Sequence, residues 1–455
     1  MLMESNAKVS GAITPGPPAH VLDRRRFLFG TGLTLAGLAL TCRSAAESGV
    51  APVAAPNDLS DWGNVRAQFA VSPDYVHLSA FFLASHPRIV RESLEHYRRE
   101  LDANPFITVE EEEFGKPFKV ERAAAEYLGG RPEEVALTDS TTMGLALVYH
   151  GLPLKKGQEI LTTAHDHYSH HESIRLAAER AGATVRKIRL FDDFPSISAD
   201  EIIARIRKAI TKATRVVGIT WVHSSSGLRL PVRSIADMVA EVNRGRAEAD
   251  RLLLVVDGVH GFGAVDESVA EMGADFFVAG THKWMFGPRG TGIIWAREAT
   301  WKLMRPVIPA FTEGPYDAWM RDRTPGETQA SWVTPGGFHS FEHRWALPAA
   351  FEFHRQIGRS RVAERISALN DQAKEGLASM KHVKLHTPRD RNLSAGIICF
   401  DVDGMKPAAV VAKLLEKRII ASETPYDVSY ARIAPSLLNT EEEVEKALEH
   451  IRELA

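Results

Sequence analysis

Cysteine is almost missing from this chain: Cys42 and Cys399 are the only two in 455 residues. A disulfide framework is therefore excluded, and so is a cysteine-rich zinc site. Neither sign of charge dominates. Lys and Arg number 55 against 58 Asp and Glu, a formal net charge of −3, which leaves no electrostatic footprint for nucleic acid or an anionic membrane surface. Long apolar runs are lacking as well. The uncharged stretch from Phe29 to Thr41 falls short of the ~20 residues a bilayer-spanning helix requires, so no lasting membrane span is expected. Beyond residue 57 there is no repeat or low-complexity tract. What remains, ~400 residues, is enough for one large and one small domain.

The amino end carries its own signal. Asp23-Arg24-Arg25-Arg26-Phe27-Leu28 precedes the uncharged stretch, and Ser44-Ala45-Ala46 follows it. Paired arginines, a short weakly hydrophobic segment and small residues resemble a twin-arginine export signal spanning residues 1–46. The resemblance implies a periplasmic protein that folds, and takes up any cofactor, before crossing. Cys42 follows Leu40-Thr41, where a lipid-anchored cysteine wants Gly or Ala, so lipidation is not expected.

From residue 119 onward helical and strand-like segments alternate. Residues 120–128 have helical spacing, 134–138 read as a strand, and a helix starts at 142. Strands at 159–163, 184–188 and 215–220 are separated by helices at 168–181 and 197–210. Such alternation predicts an α/β fold, a mainly parallel sheet with helices on both faces. After Phe338 long helical segments (341–357 and 362–380) lead into strands at 383–386 and 394–402 and helices at 407–417 and 441–454. A large domain over 119–337 and a small one over 338–455 are expected, with 47–118 as a linker and a wrapping segment.

Chemistry concentrates at two strand ends. The apolar run Leu252-Leu253-Leu254-Val255-Val256 ends in Asp257-Gly258-Val259-His260, and the run Phe276-Phe277-Val278-Ala279 ends in Gly280-Thr281-His282-Lys283-Trp284-Met285-Phe286. A lysine set among apolar groups loses part of its proton affinity and becomes a nucleophile. An aspartate for a pyridine nitrogen and an amine for an aldehyde are what pyridoxal 5′-phosphate demands. In an open α/β sheet both would fall beyond the carboxyl ends of the strands, where ligands bind.

Asp257-x-x-His260 followed by Thr281-His282-Lys283 resembles the class V aminotransferase family of pyridoxal-phosphate enzymes, of fold type I. The resemblance covers the chain after roughly its first 55 residues. It implies a homodimer, a Schiff base on Lys283, and Asp257 on the pyridine nitrogen. His260 matches a position near the cofactor's phenolic oxygen. Asp139-Ser140-Thr141-Thr142-Met143-Gly144 places hydroxyls where a helix begins, which favours an anion, and Thr141 and Thr142 match the family's phosphate threonines. Thr281 and His282 are further expected phosphate contacts. In His165-Asp166-His167-Tyr168, His165 matches best the histidine that stacks on the cofactor ring, with His167 and Tyr168 as rivals. His223 falls where the family places a His or Asn beside the cofactor. Arg432, in Tyr430-Ala431-Arg432-Ile433, matches the arginine for the substrate α-carboxylate. The His-rich run fits no common zinc spacing, so no metal is expected. One departure stands out: Gly337-Phe338 occupies the place of a Gly-Thr pair that reaches the partner's phosphate, leaving His339 or Ser340 as substitutes.

The implied chemistry begins at Cα of an amino acid. Asp257-Gly258-Val259-His260 and Leu347-Pro348-Ala349-Ala350 are most similar to the isopenicillin N epimerase-like branch. Epimerisation and transamination are the leading readings, and a C–S lyase is the alternative. From another class, a non-catalytic pyridoxal-phosphate-fold protein that only binds a ligand is also carried. The stretch 422–429 offers no cysteine, and Cys399 lies in an apolar strand, so a cysteine desulfurase is not expected. Sequence leaves the substrate's side chain open.

Overall fold

The computed structural model describes residues 58–112, 115–192, 194 and 197–454. The twin-arginine run, Cys42, Ser44-Ala45-Ala46 and the linker at 51–57 lie outside them. A first short strand, β1 (Val76–His77), stands apart from the main sheet. That sheet is built from β2 (Val135–Thr138), β3 (Glu159–Thr163), β4 (Thr184–Ile188), β5 (Thr214–Thr220), β6 (Leu253–Asp257), β7 (Phe276–Gly280) and β8 (Gly292–Trp295), in the order β2-β8-β7-β6-β5-β3-β4. The pairs among β3 to β7 are parallel, as the alternation predicts, while β8 runs antiparallel to both β7 and β2. No helix separates β7 from β8, so the chain turns straight back. Periodicity does not anticipate β8, because the helix that marks a parallel crossover is missing.

The central strands are buried along their whole length, which explains their unbroken Val, Ile, Leu and Phe composition. Successive residues still divide between two layers. Leu254, Val256 and Phe277 enter one core with Trp221 and Met285, and Leu253, Val255, Phe276 and Val278 enter the other with Ile174 and Trp301. Each fully buried aliphatic or Phe side chain contributes about 1.5–3 kcal/mol. The covering helices follow the expected spans closely. Tyr168–Ala181 buries Ile174, Ala177 and Ala178 and stops at Gly182, whose φ of 67° closes the helix in the left-handed region. Helix Phe341–Ile357 follows the expected boundary at residue 337, yet Leu347, Ala350 and Phe351 join the core of the main sheet.

A second, antiparallel sheet has the order β12 (Ser422–Glu423), β13 (Ala431–Ile433), β10 (Ile398–Val402), β9 (Val383–Leu385), while β11 (Ile419–Ile420) pairs with β1. Helices Arg359–Ala378 and Glu441–Arg452 cover it through Leu369, Ala373, Leu377, Val444 and Leu448. The last helix opens with a capping box, Thr440 accepting from the Glu443 N–H while the Glu443 carboxylate accepts from Thr440. Among the described residues no helix is long and apolar enough to cross a membrane.

Candidate active site

The carboxyl ends of β3, β5, β6 and β7 open on a cavity of about 430 Å³. Asp257 closes β6 beside Thr220 of β5 and Val278 of β7. Its turn needs Gly258, because a Cβ there would meet the Phe277 ring at 2.0 Å. Val259 N–H donates to Asp257 Oδ1 at 3.1 Å. Burial pushes the Asp257 carboxyl up to about 7; that one N–H and the Lys283 charge oppose the rise, and the Asp166 charge adds to it.

Lys283 leaves the turn after β7, which is closed by Gly287 N–H to Thr281 O at 2.8 Å and Phe286 N–H to Lys283 O at 2.9 Å. Trp284, Met285 and Phe286 behind it are fully buried. Its Nζ lies 3.3 Å from His260 Nε2. Burial, opposed by the Asp257 charge and aided by that of Arg432, brings the Lys283 ammonium down to about 8. His260 is held well below its ordinary value by burial and then by the Lys283 charge, and its buried Nδ1 has no hydrogen-bond partner.

Ser140 and Thr141 build the far end. Ser140 caps helix Thr141–Gly151 by accepting from Met143 N–H at 3.1 Å, and Thr141 Oγ1 accepts from Gly280 N–H at 2.8 Å. The first turn of that helix thus sits against the end of β7, with first-turn N–H groups that no helical carbonyl can reach. Thr142 and His282 also line the cavity. Arg432, on β13, comes from the opposite side. Its Nη1 donates to Ser224 O at 2.9 Å, its Nε to Ser422 Oγ at 2.8 Å, and the guanidinium lies 4.5 Å from the centre of the Phe81 ring.

Eight of the ten residues expected from sequence line this one cavity: Lys283, Asp257, His260, Thr141, Thr142, His282, His165 and Arg432. Thr281 does not, since its hydroxyl is spent on Thr291. Nor does His223, which is sealed in the core behind the site with Nε2 3.6 Å from Asp166 Oδ1 and its ring 5.7 Å from that of His165. Physical cause separates the three rivals for the ring face. The His165 ring is stacked on Phe191 at 4.3 Å and 11°, and its Nε2 accepts from Leu190 N–H. Burial takes it to about 3, with the neighbouring charges those of His223, Asp166, Arg189 and His171. His167 also lines the cavity; after burial, the charges that lower it are Lys283 and Arg432. Tyr168 is 73% exposed. His165 and His167 thus both line the cavity, and of the two it is His167 whose proton affinity is lowered by the Lys283 and Arg432 charges.

Sequence reasoning passed over three residues. Asp166 accepts from Thr162 Oγ1, Thr163 N–H and Thr220 N–H at 2.8, 2.9 and 3.0 Å; its position just past the polar end of a buried strand was the available signal. Ser224 anchors Arg432. Arg344, in the His/Arg-rich loop after Gly337, donates to Asp139 Oδ1 at 3.1 Å, one residue before the Ser140 cap. Among the described residues no group of three His, Cys, Asp or Glu is arranged to hold a metal.

Residues 84–446 match the family model of the class-V aminotransferases. The chain belongs to that family. Among curated relatives it is 26% identical over 400 residues to isopenicillin N epimerase of Streptomyces clavuligerus, covering 85% of this chain and 97% of the relative. It is 27% identical to isopenicillin N epimerase of Amycolatopsis lactamdurans, over 87% and 98% of the two chains. A probable cysteine desulfurase of Halalkalibacterium halodurans is 27% identical over 62% of this chain and 65% of the relative. The fold type I architecture recurs in a variant of C-DES with glycine covalently linked to its PLP cofactor, at a TM-score of 0.75 and 21% identity over 85% and 98% of the chains. It recurs also in the apo cysteine desulfurase of Thermococcus onnurineus NA1, at 0.72 and 21% over 86% and 97%.

Proposed function

We propose that this chain is a pyridoxal 5′-phosphate-dependent enzyme that works at Cα of an α-amino acid, as an epimerase or a transaminase. One observation carries the reading: an amine, a carboxyl, an anion cradle and a guanidinium, from four separate parts of the chain, line a single cavity. The residues fit the cofactor. The first turn at Ser140, Thr141 and Thr142, with His282, would hold the phosphate. Asp257 would face the pyridine nitrogen and His260 the phenolic oxygen; both are buried and short of partners, Asp257 with a single backbone donor and His260 with an idle Nδ1. The bound cofactor supplies an electron sink for charge that develops at Cα.

The protein's own groups then divide the work. Arg432 grips the α-carboxylate and turns the Cα–H bond toward Lys283. Near neutral pH the lowered proton affinity of Lys283 lets its Nζ accept the Cα proton, with His260 Nε2 beside it to share that proton. His167, on the same cavity, is the candidate for the second acid/base group that epimerisation requires; burial and the Lys283 and Arg432 charges lower its proton affinity, so in the resting site it is neutral and can accept a proton. Phe81 also lines the cavity, its ring 4.5 Å from the Arg432 guanidinium.

Cys399 supports the distinction from persulfide-forming desulfurases, since it is fully buried on β10 and burial pushes its thiol up to about 12. A protein that merely bound ligand would have no use for a buried, proton-accepting amine. The twin-arginine run supports export to the periplasm, and the family resemblance supports a homodimer.

The test is deuterium wash-in. Protein loaded with pyridoxal phosphate is incubated in D2O with a panel of L- and D-amino acids and followed by proton NMR. Loss of one amino acid's Cα–H signal, absent in Lys283→Ala, is expected. Chiral chromatography then separates epimerisation from keto-acid formation. A protein that takes up no pyridoxal phosphate would sink the proposal.

A further inference from the structure

β12 and β13 form a hairpin, with Ser422 paired to Arg432 and Glu423 to Ala431. Its tip, residues 425–428, is clamped at the base. Thr424 N–H donates to Tyr430 O at 2.9 Å, Tyr430 N–H donates to Thr424 Oγ1 at 2.9 Å, and Ser429 Oγ donates to Thr424 O at 2.7 Å. From that tip Tyr426 reaches across to the main sheet, its hydroxyl 2.6 Å from Ser224 Oγ and its ring edge-on to His167 at 6.3 Å. Ser224 is also the residue whose carbonyl holds Arg432 Nη1. The hairpin is thus pinned twice to one serine of the turn after β5, once through its tip and once through the arginine. Pro425, beside Tyr426, lines the cavity.

We propose that Tyr426 is a positioning residue for substrate recognition: through Ser224 it fixes the Arg432 guanidinium and holds the hairpin tip closed over the cavity. A side chain as long as arginine gives up rotamer freedom when it binds a carboxylate in one geometry. Fixing it beforehand removes part of that cost, so the contribution of Tyr426 appears only with ligands that carry a carboxylate. The inference rests on the reading of Arg432 given above.

The experiment uses the pyridoxal phosphate-loaded enzyme and paired probes, L-phenylalanine with 2-phenylethylamine and L-alanine with ethylamine. Dissociation constants come from the cofactor's absorbance. Tyr426→Phe is expected to cut the preference for acid over amine about five- to tenfold while leaving the amines unchanged, since one hydrogen bond next to a charged group is lost. Ser224→Ala should do the same, and the double variant should add little, as partners in one contact do. In the ligand-free loaded enzyme, hydrogen exchange at residues 424–430 should quicken in Tyr426→Phe. Equal weakening of acids and amines, or an unchanged preference with unchanged exchange, overturns the proposal. Lack of any preference for the acids in the unmutated enzyme overturns instead the reading of Arg432, and the inference falls with it.

Discussion

Two aspartates stand on either side of β5 at the carboxyl edge of the sheet, equally buried at 2% exposure, and their proton affinities move in opposite directions. Burial works against charge on both. Asp166 overcomes it with the Thr162 hydroxyl, two backbone N–H groups and the nearby rings of His223 and His170, and its carboxyl is held far below the carboxylate range. Asp257 has one N–H, and its carboxyl is pushed up to about 7. Depth therefore does not set the charge of a buried acid; the donors around it do. Asp166 is complete in the folded protein and serves to tie the loop after β3 to β5. Asp257 is left short of partners where a ligand is expected to supply one.

The largest effect should come from the group that faces Asp257. Lys283→Ala removes both the amine and a charge that lowers the Asp257 carboxyl. Cα–H exchange should fall about 10²–10⁴-fold, read by deuterium wash-in, and Asp257 should titrate higher still in the cofactor-free protein, read by carboxyl ¹³C NMR.

Parallel substitutions break the comparison directly. Asp166→Asn keeps one acceptor oxygen but turns its NH2 toward the donors of the other, Thr220 N–H or the Thr162–Thr163 pair, which then lack an acceptor; it should cost about 2–4 kcal/mol in urea unfolding. Asp257→Asn should cost less than about 1 kcal/mol in the cofactor-free protein, because its native charge is already disfavoured, while cofactor retention drops. Equal losses of stability from the two would refute the contrast.

The pH dependence follows with a definite sign. A folded-state carboxyl raised to about 7 from its ordinary 3.8 holds a proton that the unfolded chain has lost, so cofactor-free stability should decline from about pH 4 to 7 through Asp257. Lys283, lowered to about 8 from 10.5, acts oppositely: the unfolded chain binds the extra proton, and stability rises between those values. Asp166, depressed, contributes stability above its ordinary value that is lost as the pH falls through the folded one. Glu121, which burial also raises to about 7, carries a decline of the same sign, so melting curves of Asp257→Asn should lose only the Asp257 share of the slope between about pH 4 and 7. A slope identical to that of the unmutated protein would overturn the assignment to Asp257.

How far the sequence was legible depends on how local each signal is. Strands β3 and β4 and helices Tyr168–Ala181 and Phe341–Ile357 have the expected bounds, because burial on fixed faces leaves a period in the chain. The turns carrying Asp257 and Lys283 were legible for a related reason: an apolar run that stops at a functional residue is a local pattern. β8 was not, lacking a helix before it. Ser224 and Tyr426 were not either, since their contact joins residues 202 apart in the chain and no spacing encodes it. Thr281 shows the converse failure. Its residue type and position were right for an anion, but the fold turned its hydroxyl to Thr291.

The finest test concerns two histidines that sequence alone ranked in the other order. Both His165 and His167 line the cavity, but His165 already has Phe191 on one face and the Leu190 N–H on its Nε2. His167 is oriented as the N-cap of Tyr168–Ala181, with Ser169 N–H donating to its Nδ1 at 3.3 Å. Its charge environment is that of Lys283 and Arg432. If His167 covers the cofactor ring, His167→Ala should weaken pyridoxal phosphate binding about three- to tenfold, the worth of one aromatic stack. His165→Ala should change it by less than about threefold and act mainly by loosening Phe191. Fluorescence titration of the two variants with the cofactor decides the order, and a larger loss in His165→Ala would restore the ranking that sequence suggested.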